Sequence, residues 1–281
     1  MSSQIVSSMF RTDHVAADAL KASKTAIVTG VSGGIGIILT SMLLAEGYRV
    51  IGLSRSRPDI THEAFTHIAF DAAEASSLEQ GCEALMALSP PFSLLIHCAA
   101  IITPTRVEAM KSDDILRQIS VNLTMPVVLT SRLLAGMEKG GRIIFVNSMA
   151  AVMPLAGSSV YAATKAGLRN FALSLSQETA SSGITVSSIF PGAVLTGMLR
   201  QEMAAGGSVL NFVSCPAEPE AVATAIMKLV QRPKSERFLP AVDGIFGGLC
   251  MLVPGLLRIS MPVLTYFGRR GYKNAIRKKL F

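Results

Sequence analysis

The chain contains no tryptophan, and only four histidines and four cysteines among its 281 residues. Cys82, Cys98, Cys215 and Cys250 show neither paired nor metal-ligand spacing, and His14, His62, His67 and His97 are equally scattered. That distribution speaks against a disulfide-stapled secreted scaffold and against a zinc centre. The thiols read as reduced and buried in an intracellular, cytoplasmic protein, and no metal is expected. Acidic residues stop at Asp243, whereas Arg258, Arg269, Arg270, Lys273, Arg277, Lys278 and Lys279 lie beyond it. Setting these seven aside leaves 19 of the 26 basic residues to balance 19 acids, so the net charge of +7 is a C-terminal property. A nucleic-acid-binding surface spread over the main body is therefore not expected. Residues 1–23 lack the apolar core of a secretory signal, and Asp13 and Asp18 argue against a mitochondrial presequence around Arg11. A flexible leader is the expectation there.

Half of the residues are apolar, and the length suits one large α/β domain with extensions. From Lys24 onward, short β-branched runs alternate with stretches of helical spacing. Strands are predicted at Thr25–Thr29, Arg49–Leu53, His67–Phe70, Leu94–Cys98, Arg142–Asn147, Thr185–Phe190 and Arg237–Leu239. Helices are predicted at Ile35–Glu46, Ser76–Leu88, a long Asp113–Met137, Ser158–Ala180 and Glu218–Val230. Near-continuous apolar strands separated by helices imply a parallel sheet covered on both faces. The expected fold is a doubly wound, Rossmann-type α/β sheet of about seven strands over residues 24–243, with an apolar and then basic extension at 244–281.

The first strand runs into Thr29-Gly30-Val31-Ser32-Gly33-Gly34-Ile35-Gly36 and opens a helix. Glycines there permit a tight turn and close backbone approach to a pyrophosphate, which the free N–H groups of a helix N-terminus attract. After the second strand comes Ser54-Arg55-Ser56-Arg57, with no carboxylate for a ribose diol. The Arg55 guanidinium suits a 2′-phosphate, so the expected cofactor is NADP(H), with NAD(H) the less favoured alternative. Asp71, after the third strand, is either an adenine contact or a helix N-terminal acid.

Tyr161 and Lys165 are four residues apart, which places a phenol and an ammonium on one helical face. A free phenol has a pKa of about 10 and is a poor acid or base at neutral pH, and a neighbouring cation is expected to lower it. Ser148 ends a strand at the carboxyl edge where such sheets bind ligands, so its hydroxyl could donate to a substrate oxygen. Asn122, on the preceding helix, is either a surface polar residue or the anchor of a water linking Lys165 to solvent.

Taken together, these motifs resemble the short-chain dehydrogenase/reductase family in its compact, single-domain form. The family's Thr-Gly-x-x-x-Gly-x-Gly matches Thr29 to Gly36, its serine thirteen residues before the tyrosine matches Ser148, and its Tyr-x-x-x-Lys matches Tyr161 and Lys165. The family asparagine on the long helix matches Asn122, and Pro-Gly-x-Val-x-Thr matches Pro191, Gly192, Val194 and Thr196. The resemblance spans residues 25–240. It implies that Ser148 orients the substrate oxygen, Tyr161 exchanges the proton, Lys165 holds the nicotinamide ribose and Asn122 anchors a proton relay. It further implies cofactor contacts from Thr29, Gly30, Ser32, Gly34, Ile35, Gly36, Ala99 and the Pro191–Thr196 segment, with Thr196 on the carboxamide, and assembly as a homodimer or homotetramer. One departure stands out: the family's Asn-Asn-Ala-Gly reads His97-Cys98-Ala99-Ala100 here.

The segment Gly197–Cys215 would close over the substrate, and its Met198, Leu199, Met203, Val209, Leu210, Phe212 and Val213 suggest an apolar or lipid-like carbonyl or alcohol. Residues 244–267 are almost wholly apolar, with Arg258 the only charge. Their length approaches a membrane span, but Arg258, Pro254 and Pro262 speak against a simple one. Peripheral membrane contact is the expectation, with packing against the domain or a second subunit as the other reading. An NAD-dependent alcohol dehydrogenase of the same family and a non-catalytic cofactor-binding scaffold are the competing functions.

Overall fold

A computed structural model describes residues 24–88 and 91–278, and the expected leader at 1–23 lies outside the described residues. Seven strands build one sheet, every pairing parallel: β1 (Thr25–Thr29), β2 (Arg49–Ser54), β3 (Phe65–Ala69), β4 (Phe92–His97), β5 (Met137–Val146), β6 (Thr185–Pro191) and β7 (Glu236–Leu239). The spatial order is β3-β2-β1-β4-β5-β6-β7. Strand side chains alternate between two covers, as the pleat requires. Ala26, Val28, Ile144 and Val146 face α1 (Gly34–Ala45) and α7 (Pro219–Gln231), whereas Ile27, Ile143 and Phe145 face α2 (Ala75–Ala87), α4 (Met125–Leu133) and α5 (Ser159–Glu178). Among the described residues the other helices are α3 (Ser112–Ile119), α6 (Gly197–Ala204), α8 (Ala241–Leu252) and α9 (Pro254–Arg277). Each fully covered aliphatic side chain here stabilises the domain by about 1.5–3 kcal/mol. The strand order reverses direction between β1 and β4, which opens a crevice at their carboxyl ends.

Three elements differ from the sequence expectation. The long helix of 113–137 is divided: α3 and α4 are joined by a wide, π-type turn at Ser120–Thr124, and a 3₁₀ turn ends it at Leu134–Gly136. β5 begins at Met137, five residues early, because Met137 pairs with Phe92 across a register shift although Lys139 and Gly140 are exposed. The apolar run 244–267 is two helices, broken at Val253 ahead of Pro254, whose ring favours the first turn of a helix. Ser112–Gly136 is the one described helical stretch long and apolar enough to cross a membrane. Its Met125, Leu129 and Leu133 are wholly buried under the sheet, as in the core helix of a folded domain.

Candidate active site

At the crevice, β1 gives way to a loop shaped by backbone contacts. Gly30 has φ +75°, and a Cβ there would come within 2.8 Å of the Ala99 backbone. A side chain on Gly36 would overlap the Gly30 carbonyl oxygen. Thr29 does not face the crevice: it is fully buried, and its Oγ1 accepts from the Cys98 and Ala99 N–H groups, each at 3.1 Å. The hydroxyl thus ties β1 to the segment after β4. Helix α1 then starts with no side-chain cap and no acid in its first turn, so its N-terminal N–H groups remain available to an anion. Gly30, Ser32, Gly34, Ile35 and Gly36 line a cavity of about 1170 Å³. Arg55 and Asp71 line the same cavity further along the sheet edge. Arg55 is exposed and has no ion pair among the described residues, while Asp71 Oδ1 accepts from Ala73 N at 3.0 Å.

On the other side of the crevice, β5 delivers Asn147 and Ser148. Asn147 Oδ1 accepts from Ser148 N at 3.0 Å, and Ser148 Oγ accepts from Ala150 N at 3.1 Å. This fixes the serine side chain by its lone pair and leaves its O–H to donate elsewhere. Helix α5 brings Tyr161 and Lys165 to the same cavity one turn apart. Lys165 Nζ donates to the Val146 carbonyl at 3.0 Å and sits 5.7 Å from the centroid of the Tyr161 ring. Burial pushes Tyr161 up to about 12, a hydrogen bond with Ser148 opposes it, and the Glu202 charge adds to it. Here the structure departs from the expected lowering by Lys165: the ammonium directs a proton to a backbone carbonyl instead, and desolvation of the phenolate sets the direction. Burial takes Lys165 down to about 8. At neutral pH the site therefore holds a protonated phenol beside an ammonium.

Asn122 occupies the centre of the wide turn and is buried. Its Oδ1 accepts from Ile101 N at 2.9 Å, and its Nδ2 donates to Ile101 O at 2.8 Å and to Thr164 Oγ1 at 3.3 Å. The amide thus clamps the segment after β4 onto α5. Pro191, Gly192, Val194 and Thr196 line the cavity, and Thr196 Oγ1 caps α6 by accepting from Leu199 N at 3.5 Å. Ala99 and Cys98 also line it, and burial raises the Cys98 thiol to about 12. His97 turns away into the core. Its Nε2 lies 2.9 Å from Thr130 Oγ1, its ring stacks on Phe145, and burial lowers its pKa to about 3, so it is neutral.

Several residues at the cavity carried no signal of spacing. Glu202, on α6, reaches in from a segment whose apolar side chains dominated the sequence reading. Burial raises its pKa against the bond that Asn211 Nδ2 donates to its Oε1 at 2.8 Å. Asp243 lies on the far wall, where Ser214 Oγ donates to its carboxylate at 3.2 Å and burial likewise raises its pKa. Phe246 and Leu264 complete that wall from α8 and α9. Only the fold brings these last residues to the site.

The family model described as short chain dehydrogenase matches residues 24–206. The chain belongs to the short-chain dehydrogenase family. With that membership it is an oxidoreductase of Rossmann-type fold. Among curated short-chain dehydrogenase relatives, it is 34% identical over 185 residues to the 3-oxoacyl-(acyl-carrier-protein) reductase FabG of Salmonella typhimurium, covering 63% of this chain and 76% of that one. It is 29% identical over 233 residues to carbonyl reductase family member 4 of Danio rerio, covering 79% and 97% respectively. A solved 4-hydroxyisoleucine dehydrogenase complexed with NADH shares the fold, with a TM-score of 0.69 at 19% identity, covering 77% of this chain and 96% of that one.

Proposed function

We propose that the chain is an NADPH-dependent carbonyl reductase for an apolar or amphipathic substrate. The observation that carries this reading is the meeting, in one cavity, of a protonated Tyr161, the Ser148 hydroxyl and the Lys165 cation beside a helix-opening glycine loop. The uncapped N-terminus of α1 fits a pyrophosphate, and the contact of Gly36 with the Gly30 carbonyl holds the turn tight beneath it. Arg55, without an ion pair among the described residues and with no carboxylate in Ser54-Arg55-Ser56-Arg57, favours the 2′-phosphate of NADP(H) over the diol of NAD(H). Pro191 to Thr196 would close the nicotinamide end. The chemistry that the cofactor supplies when bound is a hydride at the substrate carbon.

The residues do the rest. Ser148 donates its O–H to the substrate carbonyl oxygen, held in that orientation by Ala150 N–H. Tyr161 passes its phenolic proton to the same oxygen, which becomes the alcohol hydroxyl. Lys165 stabilises the phenolate left behind, and Asn122 anchors the route by which the proton is replaced. Glu202 opposes ionisation of Tyr161 and keeps the phenol loaded for reduction. Ser148, Tyr161, Lys165 and Asn122 are the proposed catalytic set, acting within a catalytic part 24–243 to which the extension 244–281 is added. Four free thiols support an intracellular, reducing setting, and the exposed Leu116 and Ile119 of α3 offer an apolar face for a homodimer or homotetramer.

The test is a panel of medium-chain ketones, retinoid and sterol carbonyls and 3-oxoacyl thioesters, followed by NADPH consumption and repeated with NADH. Reduction of one class with NADPH preferred is expected. Tighter binding of NADH than NADPH would overturn the cofactor reading, and turnover of no carbonyl would overturn the reaction.

A further inference from the structure

The described residues expose 18 large apolar side chains, and 11 of these fall on α8, α9 and the Val253 break between them. The exposed apolar surface is therefore a patch and not scatter. On α8 it is Val242, Ile245, Leu249 and Leu252, at alternating steps of three and four. On α9 one stripe begins with Ile259, Val263 and Tyr266, 78%, 57% and 62% exposed, and continues along the same face as Arg270, Lys273 and Arg277, also exposed. An apolar band thus passes into a cationic one along a single helix. The opposite face of α9 is held down: a Cβ on Gly268 would meet the Val209 carbonyl at 2.6 Å, and one on Gly271 would overlap the Phe212 carbonyl. α9 therefore rests on the 3₁₀ turn Val209–Phe212 of the lid. Val242, Phe246 and Leu264 wall the substrate cavity from these same helices.

We infer that α8 and α9 dock the protein on an anionic lipid surface, with the cavity opening beside the docked face so that substrate passes to Tyr161 from the lipid. Burial of the apolar band holds the helices at the interface, and the cations meet headgroup phosphates. Charge decides between this occupant and a second copy of the chain. A twofold contact through this face would set cations against the same cations if the helices ran parallel, or against the partner's apolar band if they ran antiparallel, with no acid after Asp243 to relieve them, whereas a lipid surface offers each band its own layer. The delivery step rests on the proposed carbonyl-reductase reading; docking does not.

Sedimentation of the full chain with phosphatidylcholine vesicles, and with vesicles containing phosphatidylglycerol, tests docking at low and high salt. Binding to the anionic vesicles is expected, weakened by salt. Arg270→Gln/Lys273→Gln/Arg277→Gln should reduce it about a hundredfold, since each cation contributes about fivefold. Ile259→Asp/Val263→Asp should also abolish it, by removing the apolar part. Turnover of a long-chain ketone carried in vesicles should fall in both variants, with a short water-soluble ketone turned over as before. Wild-type protein remaining in the supernatant with both vesicle types overturns docking. So does a dimer that Ile259→Asp/Val263→Asp splits by light scattering while vesicle binding stays absent. Equal loss of both ketone activities overturns delivery. If no ketone is reduced at all, the carbonyl-reductase reading fails, and sedimentation still decides docking.

Discussion

The two walls of the cavity are built on different physical terms. On the cofactor side, backbone meets backbone: Gly30 against Ala99, Gly36 against the Gly30 carbonyl, and Thr29 bonded to two N–H groups of the next segment. On the substrate side, α9 rests on the turn Val209–Phe212 and α8 on Phe238 of β7, with Glu202 and Asp243 half-buried at the cavity and a wide apolar patch left outside. The first wall has no slack for a methyl group. The second is also seated closely, through Gly244 on Phe238 and Gly271 on Phe212, but its outer face is uncovered. A site made this way keeps one cofactor geometry while its substrate side is free to diverge.

Tyr161→Phe, at the seam between the walls, gives the largest expected effect. It should lower kcat by about 10²–10⁴ and leave both the NADPH Kd and the substrate KM nearly unchanged, as fluorescence titration and steady-state kinetics would show. More than a tenth of the wild-type kcat in this variant would sink the catalytic assignment. Arg55→Asp acts on the cofactor wall alone. It replaces a charge-assisted contact by repulsion and should shift the NADPH to NADH preference by about a hundredfold, with substrate KM unmoved.

Gly36→Ala and Gly271→Ala set the walls against each other directly. The first forces a methyl into the Gly30 carbonyl and should weaken NADPH binding about 10- to 100-fold, with a fall in Tm. The second forces one into Phe212 and should raise substrate KM about tenfold while NADPH titrates as in wild type. If the two variants gave the same pattern, the walls would be one unit and the comparison would fail.

The smallest expected shift is one of stability, at Lys165. Its folded pKa of about 8 lies below the usual lysine value of about 10.4, so an unfolded chain binds the proton more tightly between these values. Stability should therefore rise as pH climbs from about 8 to 10.4, while reductase activity falls once the cation is lost above about 8. Lys165→Met, freed of the buried charge, should abolish turnover yet raise Tm by about 4 °C at pH 7. A lower Tm in this variant would mean that the bond to Val146 outweighs desolvation.

The sheet was legible because parallel strands covered on both faces must be continuously apolar, as TAIVT and RIIFV are. That the glycine loop, Ser148, Tyr161 and Lys165 would meet at one cavity was legible because their geometry is local: a turn, a strand end, one helical turn. What was not legible depends on partners distant in sequence. β5 reaches back to Met137 only because Phe92 is beside it, and no residue from Glu138 to Gly140 announces a strand. Glu202 reads as an ordinary helix-surface acid until Asn211 and Tyr161 are placed around it. The expected lowering of the Tyr161 pKa failed for a related reason: spacing gives the neighbour of a group but not how much water has been removed from it.

The wide turn at Ser120–Thr124 also bears on which changes of length this chain can tolerate. A π-type turn is a helix with one residue spliced in, and removing that residue would restore regular winding at about 100° per residue. Asn122 would then swing off the Ile101 backbone, and Leu129 and Leu133 would rotate out from under the sheet. A deletion of one residue here is thus equivalent to several simultaneous substitutions in the core and the site. The exposed stretch Ala204–Gly206 makes backbone bonds to the end of its own helix and underlies no strand of the sheet, so insertions and deletions should accumulate there and stay out of 120–124.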